Sequence, residues 1–172
     1  MSFEAIKPKL MAVSSYDAGL NKIIYDNEIY DDSRNIWVRE ASGVFQSEPT
    51  YLEVHETALK ALEVNKDEET GLITISFEHL SPVFAQEIVS IVIREVNNVT
   101  REIKLRESKA SLDYLKNALV AENNKDLRLS INSLILKQLS ENMIASVKDD
   151  YLVSTIDPPI VPVYKSSPNR AR

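Results

Sequence analysis

The sequence predicts an α+β fold: a small mixed sheet with packed helices forms a base, and a long antiparallel helical hairpin protrudes from it. Three observations lead there. Only three glycines, Gly19, Gly43 and Gly71, occur in 172 residues, too few for an all-β chain rich in tight turns or for a glycine-rich phosphate loop. The stretch TGLITISFEHL is rich in β-branched residues, the composition of a strand. From Ser81-Pro82 onward the apolar period changes to three and four, the spacing of a long helix that begins there.

Taken in order, AIKPKLMAV reads as a strand that Pro8 pushes towards an edge, because proline lacks an N–H donor. SSYDAGLNKIIYD follows as a short helix after its serines. In PTYLEVHETALKAL, Thr50 and Glu53 form a capping box, and Leu52, His55, Leu59 and Leu62 fall on one helical face. Thr70-Gly71 marks a turn into a central strand that contains Ile73, Thr74 and Ile75. Ser81 suits an N-cap and Pro82 the first helical position, where its missing donor loses no bond. Phe84, Ile88, Ile91, Val92, Val96, Val99 and Ile103 form a stripe that should lie against the sheet. From Arg101 to Lys109 the helix turns charged, with Glu102 and Arg106 four apart and able to pair.

A single helix from Pro82 to Ala121 would be about 60 Å long at 1.5 Å per residue, so it must project or lie along another element. Asn123-Asn124 offers a break. A return helix then carries Leu127, Ile131, Leu134, Ile135, Leu139, Met143 and Val147 on a seam, with Asp126 near its start. YLVSTI, from Tyr151 to Ile156, has strand composition, and an extended run to Tyr164 would bring the chain back to the first sheet. The organisation is therefore a base from residues 1–81 and 150–164, a helical hairpin from 82–149, and a tail from 165–172. Pro158, Pro159, Pro162 and Pro168 keep the last stretch extended.

Composition narrows the function. With 44% hydrophobic and 27% charged residues the chain can bury an ordinary core. A formal charge of −6, with cations interleaved among acids, argues against nucleic acid as a partner. The absence of cysteine removes disulfides and thiolate zinc sites but does not fix the compartment. No run approaches the ~20 apolar residues of a membrane span, and MSFEAIKPKL has no apolar signal core. Two readings remain: a cytoplasmic protein, or a water-exposed part of a longer membrane protein.

No constellation of catalytic residues emerges. His55-Glu56 begins like H-E-x-x-H, but Leu59 stands where the second zinc ligand belongs, so His55 reads as a packed histidine. His79 lacks a nucleophile motif and reads as a structural hydrogen-bonding residue. DDSRN from Asp31 alternates oxygens like a calcium loop without its glycine or its terminal glutamate. Asn98-Val99-Thr100 matches a glycosylation acceptor in the middle of a helix, a coincidental match. Trp37, between Ile36 and Val38, reads as core or interface rather than as a sugar-stacking ring. No catalytic, cofactor-binding or metal-ligating residue is assigned.

The order of features resembles a known family. YDDSRNIWVRE, EPTYLEVHETALKALEV, DEETGLITISFEHLSPVFAQEIV, SLDYLKNAL, IASVKDDYLVSTIDPPIVP and SSPNRA are similar to the extracytoplasmic domain of the polysaccharide co-polymerases, the O-antigen chain-length determinants. The most specific parts are TGLITISFEHLSP and IDPPIVPVYKSSPNR, and the likeness runs over nearly the whole chain. It implies an inner-membrane protein of Gram-negative bacteria, with this domain in the periplasm and a membrane helix on each side of it; the element order, which brings the N-terminal strand and the proline tail out at the same end of the base, is what two anchors in one membrane require. It also implies a homo-oligomeric ring, walled by the long helices, that acts with a polysaccharide polymerase to set glycan length and performs no catalysis itself. Nascent glycan is a further candidate partner. The related co-polymerases fused to a tyrosine autokinase share parts of the domain and form the alternative.

Within a ring, Arg101, Glu102, Lys104, Arg106, Glu107 and Lys109 are candidates for ion pairs between neighbouring subunits; outside one, they form a solvated face. The juxtamembrane motif comprises Pro158, Pro159, Pro162, Pro168 and Arg170. Lys165, Arg170 and Arg172 are solubilising residues that can also meet lipid headgroups.

Overall fold

A computed structural model describes residues 2–43, 45–147 and 152–162. The chain is mixed α+β, and its described residues form four helices and three separate two-stranded antiparallel sheets. They fall into two compact units, one of residues up to Val89 with those from Pro159 onward, the other of Ser90–Pro158.

The first unit opens with a helix, α1 (Phe3–Met11), where the sequence suggests a strand. Ser2 caps it by accepting from the Ala5 amide, and Glu4 lies in its first turn, where the helix dipole favours a carboxylate. Pro8 sits inside the helix, and its missing N–H leaves the Glu4 carbonyl without the usual i+4 donor. Burial of Lys7 and Pro8 against the rest of the unit stabilises the helix despite that loss. The expected short helix after Ser14 is instead a hairpin of β1 (Val13–Asp17) and β2 (Lys22–Tyr25). Asp17 closes its turn: one carboxylate oxygen accepts from the amides of Gly19 at 2.8 Å and Leu20 at 3.1 Å, and Asn21 adopts a positive φ of 51°.

A smaller hairpin pairs β3 (Tyr30–Asp31) with β4 (Ile36–Trp37). Helix α2 (Tyr51–Ala61) carries the expected capping box, with the Thr50 hydroxyl and the Glu53 carboxylate each accepting from the other's backbone amide. Its buried residue is Val54, however, whereas Leu52, His55 and Leu59 on the expected inner face are exposed. β5 (Leu62–Lys66) continues from α2 without a loop and pairs with β6 (Ile73–Phe77). β6 has this one neighbour, so it is not the central strand its composition suggests. In the connecting turn Asp67 accepts from the amides of Glu69 and Thr70, and Gly71 takes a positive φ of 70°.

α3 (Pro82–Ala121) is continuous over 40 residues, about 60 Å of helix. The Ser81 hydroxyl accepts from the Phe84 amide at 3.3 Å, the expected cap. Phe84, Ile88 and Val89 are buried in the first unit, but Val96, Val99 and Ile103 of the same stripe are exposed. The stripe therefore meets a core only over its first turns.

The second unit is the antiparallel pairing of α3 with α4 (Lys125–Val147). Asn124 caps α4 by accepting from the amides of Asp126 at 2.9 Å and Leu127 at 3.4 Å. Arg128 reaches back to the end of α3 and donates to the carbonyls of Leu119 at 2.6 Å and Glu122 at 2.9 Å. Further along the pair, Gln138 Nε2 donates to Ser108 Oγ at 2.7 Å. Beyond the helices, Leu152–Ile156 is not a strand. The side chain of Asn97 holds this stretch: Oδ1 accepts from the amides of Leu152 and Val153, both at 2.9 Å, and Nδ2 donates to the Val153 carbonyl at 3.0 Å. A buried mid-helix asparagine thus offers a returning backbone the pattern a strand neighbour would.

Candidate interaction surface

The sequence offers no constellation of catalytic side chains, and the singled-out residues that are described lie in separate surroundings. His55 is exposed and stacks on Tyr51, with ring centroids 6.0 Å apart. It is thus neither packed in the core nor beside a second ligand. His79 makes the expected structural hydrogen bond, to the Lys9 carbonyl at 2.8 Å. In DDSRN, Asp31 Oδ1 is engaged by its own turn, accepting from the Ser33 amide, the Ser33 hydroxyl and the Arg34 amide. The Ser33 hydroxyl bond is foremost in holding the Asp31 carboxyl below its ordinary value. Trp37 is half-buried against Tyr30, centroids 4.9 Å apart, and Tyr30 in turn meets Tyr25 edge-on at 5.4 Å. The trio is the packed face of two hairpins.

Polar residues tie the first unit together. Lys7 is buried and paired with both Glu48 and Glu4. Burial works against its charge, but the hydrogen bonds it donates to Glu48 and Glu4 outweigh that and hold its pKa above the ordinary value. Arg39 pairs with Glu53 at 2.7 Å and also donates through Nε to the carbonyls of Gln46 and Ser47. Glu53 is held below the ordinary glutamate value, first by the Thr50 amide and then, against some desolvation, by Arg39.

The candidate interface residues lie on α3. Glu102, Lys104, Arg106, Glu107 and Lys109 are exposed, and Arg101 is half-buried. The anticipated Glu102–Arg106 pair does not form; Lys104 pairs with Glu107 at 3.2 Å instead. Of the proline motif, Pro158 and Pro162 are exposed, and Pro159 is half-buried with its carbonyl accepting from Gln86 Nε2 at 2.7 Å. Pro168 and Arg170 lie outside the described residues, as do Lys165 and Arg172.

The more informative surface is on α4. Ile131, Ile135, Gln138, Asn142 and Ala145, spaced by three and four, are its less exposed residues and form the face turned to α3. At 3.6 residues per turn, Leu129, Leu136, Met143 and Val147 lie on the opposite side, and they are 64%, 66%, 69% and 81% exposed. Leu134 and Leu139 of the expected seam are exposed as well. A helix apolar on two opposite sides is ordinarily covered on both. On α3, Val96, Val99 and Ile103 likewise point away from the stripe of Arg101, Leu105, Ser108 and Leu112 that faces inward. Sequence reasoning assigned one seam to α4 and placed Met143 and Val147 on it with Ile131 and Ile135, whereas those two residues belong to a second, outward face. The seven-residue recurrence of Leu129, Leu136 and Met143 was the available signal.

No helix among the described residues is long and apolar enough to cross a membrane. Comparison with protein-family models, with curated proteins and with solved structures yields no match to this chain.

Proposed function

We propose that this chain is the periplasmic domain of a polysaccharide co-polymerase of the O-antigen chain-length determinant type, an oligomeric scaffold anchored in the bacterial inner membrane. In this reading the domain performs no chemistry. A partner polymerase extends the glycan, and the ring of scaffold subunits sets how many repeat units are added.

The observation that carries the proposal is the α3–α4 pair. A 40-residue helix backed by an antiparallel partner exposes apolar residues on the sides turned away from each other. Such sides suit packing against the same helices of neighbouring copies, with the charged run from Arg101 to Lys109 supplying pairs at the rim. Membrane anchoring raises the effective concentration of copies, so a weak interface suffices in the bilayer. The resemblance of TGLITISFEHLSP and of the proline-bearing stretch after Ile156 supplies the family assignment.

The test is deletion of the gene in its host, with gel profiling of surface polysaccharide. Loss of the modal length, restored by the intact gene, is the expected result; an unchanged length distribution rejects the proposal. In the restored strain, replacing Leu129, Leu136 and Met143 by Gln should abolish cross-linking between subunits in the membrane and broaden the distribution again.

A further inference from the structure

His79 follows the end of β6 and precedes the Ser81 cap of α3 by two residues. Its ring joins three elements. Nε2 lies 2.8 Å from the carbonyl of Lys9 in the last turn of α1, and Nδ1 lies 3.0 Å from the Ser81 amide nitrogen. The ring meets Phe84 edge-on at 4.7 Å and stacks on Phe77 at 6.4 Å. The partners fix the tautomer. A carbonyl can only accept, so Nε2 carries the hydrogen; the Ser81 amide can only donate, so Nδ1 must be the bare acceptor. This arrangement satisfies a neutral imidazole completely. An imidazolium would carry a second hydrogen on Nδ1, aimed at the Ser81 N–H. The other acceptor near Nδ1 is the Ser81 carbonyl at 3.4 Å, which already takes the Ala85 amide at 3.0 Å.

The surroundings offer a cation little compensation. From α1, Lys9 places its ammonium over the same Phe84 ring, 5.5 Å from its centroid. From α3 there is no acidic residue in the first turn, and the positive end of the helix dipole lies beside the ring. After β6, Glu78 is exposed, and its backbone amide is engaged by the Ala61 carbonyl.

We propose that His79 is an acid-sensitive latch: neutral, it ties the last turn of α1 to the start of α3, and on protonation Nδ1 can no longer face the Ser81 amide, so the ring leaves its seat, takes its bond to Lys9 with it and releases α1. Burial pushes the imidazole below its ordinary value of 6.5, outweighing the opposing bonds to Lys9 and Ser81. The opened state therefore binds the proton more readily than the latched one. The stabilisation is complete above pH 6.5 and is lost progressively as pH falls below it, the opening constant rising by up to about tenfold per pH unit for one proton. The latch does not depend on the co-polymerase reading; within that reading it would make the base of the scaffold responsive to periplasmic acidity.

Nuclear magnetic resonance on the 172-residue chain tests this directly. Imidazole nitrogen shifts report the protonation of His79, and amide hydrogen exchange, corrected for its intrinsic pH dependence, reports the protection of α1. Between pH 7.5 and 5, protection of the α1 amides should fall at least severalfold, starting near pH 6.5 and levelling off once the latched His79 is itself protonated, while protection along α4 is retained. His79→Gln should flatten that response and His55→Gln should preserve it. The proposal is overturned by constant α1 protection through the protonation of His79, by an undiminished pH response in His79→Gln, or by an equal loss of protection in α1 and α4. The wild-type comparison of α1 with α4 decides the matter even if His79→Gln does not fold.

Discussion

In the first unit, contacts reach far along the chain: His79 binds the carbonyl of Lys9 70 residues away, and Lys7 pairs with Glu48 41 residues away. In the helical pair the ordering is mostly local, each backbone amide bonding four residues back, and a few side chains such as Arg128, Ser108 and Gln138 align the helices. The first region depends on closing many loops at once, so it should be the more cooperative. The second depends on helix propagation and should fray in graded fashion.

Core truncation separates the two most strongly. Phe84 is 2% exposed among Phe77 and His79, and Phe84→Ala should cost about 3–5 kcal/mol. In denaturant melts followed by hydrogen exchange, its loss of protection should spread through all three hairpins. Leu112→Ala, in the helical pair, should cost about 2–4 kcal/mol and loosen α3 and α4 near the site alone. If both variants lost protection over the same residues, the contrast would fail.

Asn97→Ala is the next step down. It leaves the backbone groups of Leu152 and Val153 without their partner and should cost about 1–3 kcal/mol. Faster proteolysis within residues 152–162, with the α3–α4 hairpin intact, is the expected readout.

Smaller still is the cap of α2. Thr50→Ala should cost about 1 kcal/mol by urea titration, and Thr50→Ser much less. Its partner adds a pH signature. Because Glu53 titrates below 4.5 in the folded chain, its contribution is present above that value and disappears as pH falls through the lowered one. Glu53→Gln should remove that part of the acid sensitivity. At the bottom of the scale, the Lys104–Glu107 pair on α3 is solvent-exposed, so Lys104→Ala should change stability by no more than a few tenths of a kcal/mol.

The same contrast explains what the sequence disclosed. The capping box of α2, the Ser81-Pro82 start of α3, the break at Asn123-Asn124 and the two long helices are local signals, and they were legible. α1 was not, because Pro8 argues against a helix and the contacts that stabilise it come from Glu48 and His79, far along the chain. The hairpin after Ser14 carried its own signal, Asp17-Ala18-Gly19-Leu20-Asn21, a turn whose asparagine tolerates positive φ; the preceding serines drew the reading towards a helix cap. Which face of a helix is buried was the least legible property. In α2 the stripe of Leu52, His55 and Leu59 is real but turned outward, and in α4 the inward face admits Gln138 and Asn142. An apolar stripe records that some partner is wanted and leaves open which one. The candidate surface on α4 was hidden for that reason.

Arg128 gives the helical pair a direction. Its guanidinium clasps the end of α3 through two carbonyls while Asn124 secures the start of α4. The tip is thus riveted shut, whereas among the described residues beyond α4 the backbone of Leu152 and Val153 is held by the uncharged amide of Asn97. A pulling experiment should unzip this pair from the Asn97 end towards the rivet, with the tip as the last part to yield.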